Sequence, residues 1–151
     1  MRIDKKRTAM RVLALVLAFA ILFPAEAYAA MPHPNYVQNS DYISDYEAWV
    51  YSPGNYVARI MFDVSALVVS DKVGVLTAVL QKTDDGVNVT DVYTFYSANY
   101  PNMIKENVDS NYSFVSKTVE HGHYYRATLI IYVENNGGSD WRQCTTGWVY
   151  I

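Results

Sequence analysis

The strongest constraint on the fold is a stretch in which apolar side chains recur at every second residue. It follows Gly122, runs from Tyr124 to Val133, and is followed by a glycine-rich segment at 135–140. A period of two residues is that of a β-strand, and bulky side chains on both faces are typical of a strand in the middle of a sheet. We therefore predict a central strand here. One of its faces would carry Tyr125, Ala127, Leu129, Ile131 and Val133.

Other segments also favour strands and are separated by turn-forming residues. Turns are predicted at 52–55, at 70–72 and at 83–86, where Asp85-Gly86 is typical of a tight type I′ hairpin. The polar segment 97–110 is predicted to be irregular, with at most a short helical turn. The central strand is expected to lie between strands at 112–119 and 141–151. The remaining predicted strands are 42–51, 56–67, 73–83 and 87–96.

These strands and turns predict an all-β protein. About six or seven antiparallel strands at this spacing are typical of a β-sandwich of the immunoglobulin or fibronectin type III kind. We expect a single domain of this kind over residues 42–151. A flexible lead with two prolines is predicted before it, at 31–41.

The first 30 residues have the three-part plan of a secretory signal peptide. Basic residues open the chain, and twelve uncharged apolar residues follow at 12–23. Small residues at A-x-A spacing then lead to a predicted cleavage site near Ala29 or Ala30. An uncleaved membrane anchor is the alternative, but a span needs about 20 apolar residues. We therefore expect a secreted, extracellular protein with no membrane span after removal of the signal peptide.

Removal of residues 1–30 changes the charge balance. They hold five of the twelve basic and two of the fifteen acidic residues, so the remainder has seven basic and thirteen acidic residues and a net charge of −6. Nucleic-acid binders normally carry a basic patch, and anionic lipid attracts basic segments. The composition therefore argues against a nucleic-acid partner and against binding to an anionic membrane surface.

Cys144 is the only cysteine of the chain, so an intramolecular disulfide is excluded. We expect a buried side chain that acts as a small apolar residue, because free cysteines are among the most buried residue types. A reactive thiol and an intermolecular disulfide are the alternatives. A small hydrolase that uses Cys144 with a histidine from the turn at 121–123 is a further alternative. It is disfavoured because the cysteine lies in a predicted strand and not at a helix N-terminus, where its pKa would fall.

Other reactive side chains do not form a recognisable catalytic or metal-binding pattern. His121 and His123 flank a glycine, but two histidines on one turn are only half of a zinc site. The acidic pairs are no more specific, since Asp84-Asp85-Gly86 lacks the ligand ladder of an EF-hand loop. The sequence therefore predicts no catalytic, cofactor-binding or metal-binding residues, and we expect a protein that is not an enzyme.

Aromatic side chains are the best candidates for ligand contact. The chain has 14 tyrosines and three tryptophans. Such side chains combine a flat apolar face with a polar group, which suits contacts with sugars or proteins. Part of this set is expected to lie in the core, because strands favour aromatic residues. Three residues are predicted to contact a ligand, namely Trp49, Tyr100 and Trp141.

Two local patterns resemble known families. The run from Gly122-His123-Tyr124-Tyr125-Arg126-Ala127 to Asn135 resembles the penultimate strand of fibronectin type III and immunoglobulin-like domains, in which Tyr125 would be the corner tyrosine. A second set of segments is similar to a family of small secreted proteins of Gram-positive, clostridial-type bacteria, a domain family of unknown function. Its segments are Lys72-Val73-Gly74-Val75, Leu80-Gln81-Lys82, Asp85-Gly86 and Gly122-His123-Tyr124-Tyr125-Arg126-Ala127.

The second resemblance implies an exported all-β domain and supplies no active site. Members of that family usually carry a tryptophan soon after the Asp-Gly turn, where this chain has Asn88 or Val89. The expected function is that of a non-catalytic binding module at or near the bacterial cell envelope, with a protein or a glycan as ligand. A carbohydrate-binding module that uses exposed tyrosine and tryptophan is the main alternative. The sequence leaves the ligand, the oligomeric state and the biological role open.

Overall fold

The computed structural model describes residues 40–151. The predicted signal peptide, its cleavage site and residues 31–39 of the predicted lead lie outside the described residues. At the start of the described part, the Ser40 hydroxyl donates a hydrogen bond to the Asp140 carboxylate and accepts one from the Ile43 amide. No helix among residues 40–151 is long and apolar enough to cross a membrane.

The described chain is all-β and antiparallel, as predicted. Its seven strands form one hydrogen-bonded sheet, a number within the expected range. The segment 97–110, which was predicted to be irregular with at most a short helical turn, holds a 3-10 turn at Pro101–Met103 but is a strand from Ile104 on. The strands are β1 Ile43–Tyr51, β2 Val57–Thr83, β3 Thr90–Tyr96, β4 Ile104–Thr118, β5 Tyr124–Asn135, β6 Gly138–Thr145 and β7 Val149–Tyr150.

Strand β2 is 27 residues long and pairs with four other strands. β1 and β4 flank its first half, whereas β5 and β3 flank its second half. The turn predicted at 70–72 is therefore wrong. Lys72 pairs with Glu106 on one side and with Glu134 on the other, so its backbone lies inside the sheet. The strand is irregular just before this point, where its register with β4 shifts between Ser65 and Ser70.

Strand β5 is the predicted central strand, and it lies between β2 and β6. Its alternating face is buried, as the sequence pattern indicates. The predicted neighbour at 112–119 is wrong, because β4 pairs with β2 and not with β5. The predicted last strand at 141–151 is in fact two strands. Thr146 exchanges hydrogen bonds with Ala127, and the chain then leaves the sheet before Val149 pairs with Tyr125.

The core lies on one face of the sheet and draws on both halves of β2. Ile60, Phe62 and Val64 come from the first half, and Val75 and Leu80 come from the second. All five side chains are buried in one cluster, so the sheet is bent around its apolar face. Burial of each large apolar side chain stabilises the fold by about 1.5–3 kcal/mol. The core side chains contributed by β5 are Tyr125, Ala127, Leu129, Ile131 and Val133.

The connection from β2 to β3 differs from the predicted tight hairpin. Lys82 pairs with Thr90, so the strand predicted from residue 87 begins at Thr90. Asp85 closes the longer loop, since its carboxylate accepts hydrogen bonds from the amides of Asn88 and Val87 at 2.8 Å. These bonds hold the pKa of Asp85 well below its usual range. The connection is therefore closed by hydrogen bonds from backbone amides to the Asp85 carboxylate and not by a two-residue turn.

Candidate binding surface

The face of β1, β2 and β4 that is turned away from the core carries a compact group of aromatic and charged side chains. We call this surface the outer face. It comprises three rows, each with one residue from each of the three strands, placed side by side by the strand register. The rows are Tyr51–Arg59–Ser116, Trp49–Met61–Phe114 and Glu47–Asp63–Tyr112.

The first row is joined by side-chain hydrogen bonds across all three strands. Arg59 Nη1 donates to Tyr51 Oη at 3.0 Å, and Arg59 Nε donates to Ser116 Oγ at 3.3 Å. The Arg59 guanidinium also lies over the Phe114 ring, 4.5 Å from its centroid, and 5.7 Å from the centroid of Tyr51. These contacts fix a cation and two rings at one end of the outer face.

The middle row is apolar, and its most buried residue is Met61 on β2, the middle strand of the three. Met61 is buried between its neighbours, Trp49 is half-buried, and Phe114 is 44% exposed. The Phe114 carbonyl oxygen accepts a hydrogen bond from Asn102 Nδ2 at 2.6 Å, which ties this part of β4 to the 3-10 turn. The rings are therefore carried by strands whose backbone is held in place.

The third row combines two carboxylates with an exposed ring. Glu47 lies directly opposite Asp63, and Tyr112 lies on the far side of Asp63. Tyr112 is 58% exposed, and its ring centroid is 6.3 Å from that of Trp49. Among the described residues, neither carboxylate forms an ion pair. Like charges directly opposite each other on neighbouring strands destabilise a sheet, so this row is not explained by folding alone.

Sequence reasoning predicted Trp49 of this surface as a ligand contact and missed Tyr112 and Phe114. Tyr112 and Phe114 are two residues apart in a segment that was correctly predicted as a strand, so they had to share a face. That spacing was the available signal. The pairing of this strand with β2, which places both rings beside Met61 and Asp63, is not visible in the local sequence.

The other two predicted contact residues lie elsewhere. Tyr100 is half-buried, packs edge-on against Phe95 at 5.1 Å and shares a hydrogen bond with the Tyr93 hydroxyl at 3.1 Å. Trp141 is 60% exposed on β6, where it lies opposite Tyr132 of β5. The structure does not bring Trp49, Tyr100 and Trp141 together.

His121 and His123 lie in the connection between β4 and β5. The His121 ring lies 5.1 Å from that of Tyr56 and 6.3 Å from that of Tyr150. His123 Nδ1 contacts the Asp84 carboxylate, and its Nε2 is 3.6 Å from Glu120. Within residues 40–151, no group of three or more potential metal ligands is close enough to hold a metal ion.

A shallow cleft of about 400 Å³ lies between the end of β2, β3 and the end of β4. An ion pair between Lys82 and Glu120 crosses this part of the molecule. The cleft lining contains no histidine, serine or cysteine. It is formed by Lys82, Asp91, Val92, Thr118, Val119, Glu120 and Tyr125.

Cys144 is buried on the inward face of β6, as expected. Burial raises the pKa of its thiol to about 11, and the nearby Glu47 charge adds to this effect. A raised pKa lowers the fraction of thiolate, which is the nucleophilic form of cysteine. This environment is the opposite of the one that activates a catalytic cysteine.

We expect the Cys144 thiol to react with Ellman's reagent at pH 8 at least about 100-fold more slowly in the folded protein than in the unfolded chain, because burial raises its pKa to about 11 and so lowers the fraction of thiolate. The measurement compares the rate in buffer with the rate in guanidinium chloride, and a small thiol serves as the control in both solvents. Equal rates for the folded and unfolded protein would show that the thiol is accessible and contradict the prediction.

Comparison with protein-family models, with curated proteins and with solved structures finds no match for this chain. The resemblances to fibronectin type III domains and to the clostridial-type secreted family therefore stay predictions.

Proposed function

We propose that this chain is an exported, non-catalytic binding module and that it contacts a protein partner through the outer face. The observation that carries the proposal is the pair of exposed rings, Tyr112 and Phe114, beside Trp49 and Arg59 on three paired strands. Tryptophan, tyrosine and arginine are the residues most enriched among the energetic hot spots of protein interfaces. Rings held on paired strands also lose little conformational freedom when a partner binds.

Export is proposed from residues 1–30, whose pattern is that of a cleaved signal peptide. A site of action at the envelope of Gram-positive bacteria is proposed from the sequence resemblance alone. Under this proposal the outer face would be presented to partners outside the cell.

We further propose that the bent sheet is a two-layer β-sandwich related to immunoglobulin and fibronectin type III domains. The single core shared by both halves of β2 supports two layers. The Tyr125 hydroxyl donates a hydrogen bond to the Glu120 carbonyl oxygen at 2.8 Å, five residues upstream, which is the contact that defines a tyrosine corner. The continuity of β2 through both halves differs from immunoglobulin domains, in which each strand belongs to one sheet.

Glycan binding is the second candidate function. The exposed Tyr112 ring lies beside the carboxylates of Asp63 and Glu47, and a sugar is bound by a flat ring together with hydrogen-bond acceptors. The tilt of 38° between the Tyr112 and Trp49 rings argues against a flat platform, which an extended polysaccharide surface would require.

The test compares partner capture by the wild-type protein and by a Tyr112→Ser/Phe114→Ser variant. Both side chains are exposed, so the variant should keep its fold, which circular dichroism checks. Captured envelope proteins are expected to be recovered at least about tenfold less by the double variant, in line with the loss of an interface hot spot. Purified cell-wall glycan is tested in parallel.

Trp141→Ser is the matched control, because Trp141 is about as exposed as Tyr112 but lies on β6, a strand that is not part of the outer face. It should retain the wild-type captured proteins. Equal capture by the double variant and the wild type would overturn the proposed surface. Binding to glycan in place of protein, lost in the double variant, would keep the surface and change the ligand class.

A further inference from the structure

We propose that the partner places a basic side chain, a lysine or an arginine, between the Glu47–Asp63 carboxylate pair and the Tyr112 ring. This inference rests on the proposed function, because it assigns the chemistry of the group that the outer face binds. It adds the two carboxylates of the third row, Glu47 and Asp63, to the rings of Tyr112 and Phe114 on which the proposed function rests.

The first argument is the unbalanced charge of the two carboxylates. Glu47 and Asp63 are direct cross-strand neighbours, which places their Cβ atoms about 4.5–5.5 Å apart. Glu47 is exposed, Asp63 is half-buried, and within residues 40–151 neither is paired with a cation. A cation placed between the two would replace repulsion by two charge-assisted hydrogen bonds.

The second argument is the ring that completes the row. Tyr112 is the neighbour of Asp63 on β4 and is 58% exposed, so part of its ring is free for contact. A cation that lies over a tyrosine ring is attracted by the ring quadrupole. A lysine or arginine side chain lying along this row would therefore place its charged end beside the carboxylates and its apolar stem against the Tyr112 ring.

The third argument comes from the cation that the outer face already holds. Arg59 stacks over Phe114 and Tyr51 at the other end of the face and shows that its rings accept a guanidinium. Asp63 lies four residues further along β2, about 13 Å away at 3.3 Å per residue. Arg59 is thus too distant to neutralise the carboxylates, and that end of the face remains complementary to an external cation.

A side-chain cation fits this row better than a metal ion. Glu47 and Asp63 supply only two carboxylates, and calcium takes six to eight oxygen ligands. No three potential metal ligands among the described residues are arranged closely enough to hold a metal ion. The acidic balance of the chain without residues 1–30 also favours association with basic partners.

The experiment uses two synthetic peptides of equal length, one alternating threonine and arginine and one with citrulline in place of each arginine. Citrulline keeps the shape of arginine and lacks its charge. We expect the arginine peptide to bind with amide chemical-shift changes concentrated at Glu47, Asp63 and Tyr112. The citrulline peptide is expected to bind at least about tenfold more weakly. Equal binding of both peptides would overturn the inference.

Two variants of equal net charge separate the site from general electrostatic attraction. Glu47→Gln/Asp63→Asn should weaken arginine-peptide binding at least about tenfold, with a melting temperature unchanged or higher. Glu106→Gln/Asp109→Asn removes two exposed carboxylates on β4 and should change the affinity by less than about twofold. A similar loss in both variants would show unspecific attraction and overturn the inference.

Failure of this inference and failure of the proposed function give different results. Partner capture that requires Tyr112 and Phe114 but is unchanged in Glu47→Gln/Asp63→Asn would retain the binding surface and reject the basic side chain. Capture that requires neither the rings nor the carboxylates would reject both. We expect capture to be lost in the ring variant Tyr112→Ser/Phe114→Ser and in the carboxylate variant Glu47→Gln/Asp63→Asn. The control variant Glu106→Gln/Asp109→Asn should retain it.

Discussion

Replacing Gly74 with alanine is expected to lower the free energy of unfolding by about 4 kcal/mol, the sum of a steric and a backbone contribution. Gly74 lies in β2 with a φ of +150°, a region that residues with a side chain rarely adopt. A Cβ atom here would meet Asn111 Nδ2 at 2.7 Å and would lie closer still to the Met103 carbonyl oxygen. Neither neighbour can move away easily. The contacted atom of Met103 is a backbone oxygen of a buried residue, and the Asn111 side chain is held by hydrogen bonds.

Gly137→Ala is the matched control, because it separates the steric contribution from the backbone contribution. Gly137 also has a positive φ, +78°, but a Cβ atom there has no neighbour within 4 Å. We expect a loss of about 1–2 kcal/mol, which is the cost of the left-handed backbone alone. Urea-induced unfolding followed by tryptophan fluorescence measures both variants. Equal losses at the two positions would show that Gly74 is not needed for the close approach of the 3-10 turn.

The period-two patterns predicted the strands well where each strand has one buried face. The face of β5 from Tyr125 to Val133 is an example, because its alternation is continuous and its inward side chains all lie in the core. Local sequence failed at 70–72. Ser-Asp-Lys is a sequence typical of a turn, but β4 and β5 flank this part of β2 and pair with it as neighbouring strands. Pairing with strands that are distant in sequence is a tertiary effect that overrides local preference.

The candidate site was only partly predictable for the same reason. Trp49 could be proposed from its residue type, whereas Tyr100 has the same aromatic character and is used for packing against Phe95. Residue type does not distinguish these two roles. What defines the outer face is the register that aligns Trp49, Met61 and Phe114 across three strands. Register between strands far apart in the sequence depends on the whole sheet.

Replacing Asn111 with aspartate is expected to destabilise the protein by about 3–5 kcal/mol at neutral pH, the cost of an uncompensated buried charge. Asn111 is fully buried on β4, and its Nδ2 donates hydrogen bonds to the carbonyl oxygens of Met103 at 3.1 Å and Val73 at 3.2 Å. Its Oδ1 has no partner among the described residues. Aspartate would replace the donor by a second oxygen and turn it toward two carbonyl oxygens.

The destabilisation caused by Asn111→Asp should depend on pH with a defined sign. Burial raises the pKa of the new carboxyl above the value of about 3.9 that it has in the unfolded chain. The folded state then binds the proton more tightly, so the loss of stability is smallest below that value and grows as the pH rises above it. Urea-induced unfolding at pH 3.5 and pH 7 measures the difference in the free energy of unfolding between the variant and the wild type at each pH. Asn111→Leu, which cannot ionise, is the control and should show the same difference at both. If the difference in the free energy of unfolding between Asn111→Asp and the wild type were also the same at both pH values, a charge at position 111 would carry no cost. The role of the Asn111 amide as a hydrogen-bond donor would then be wrong.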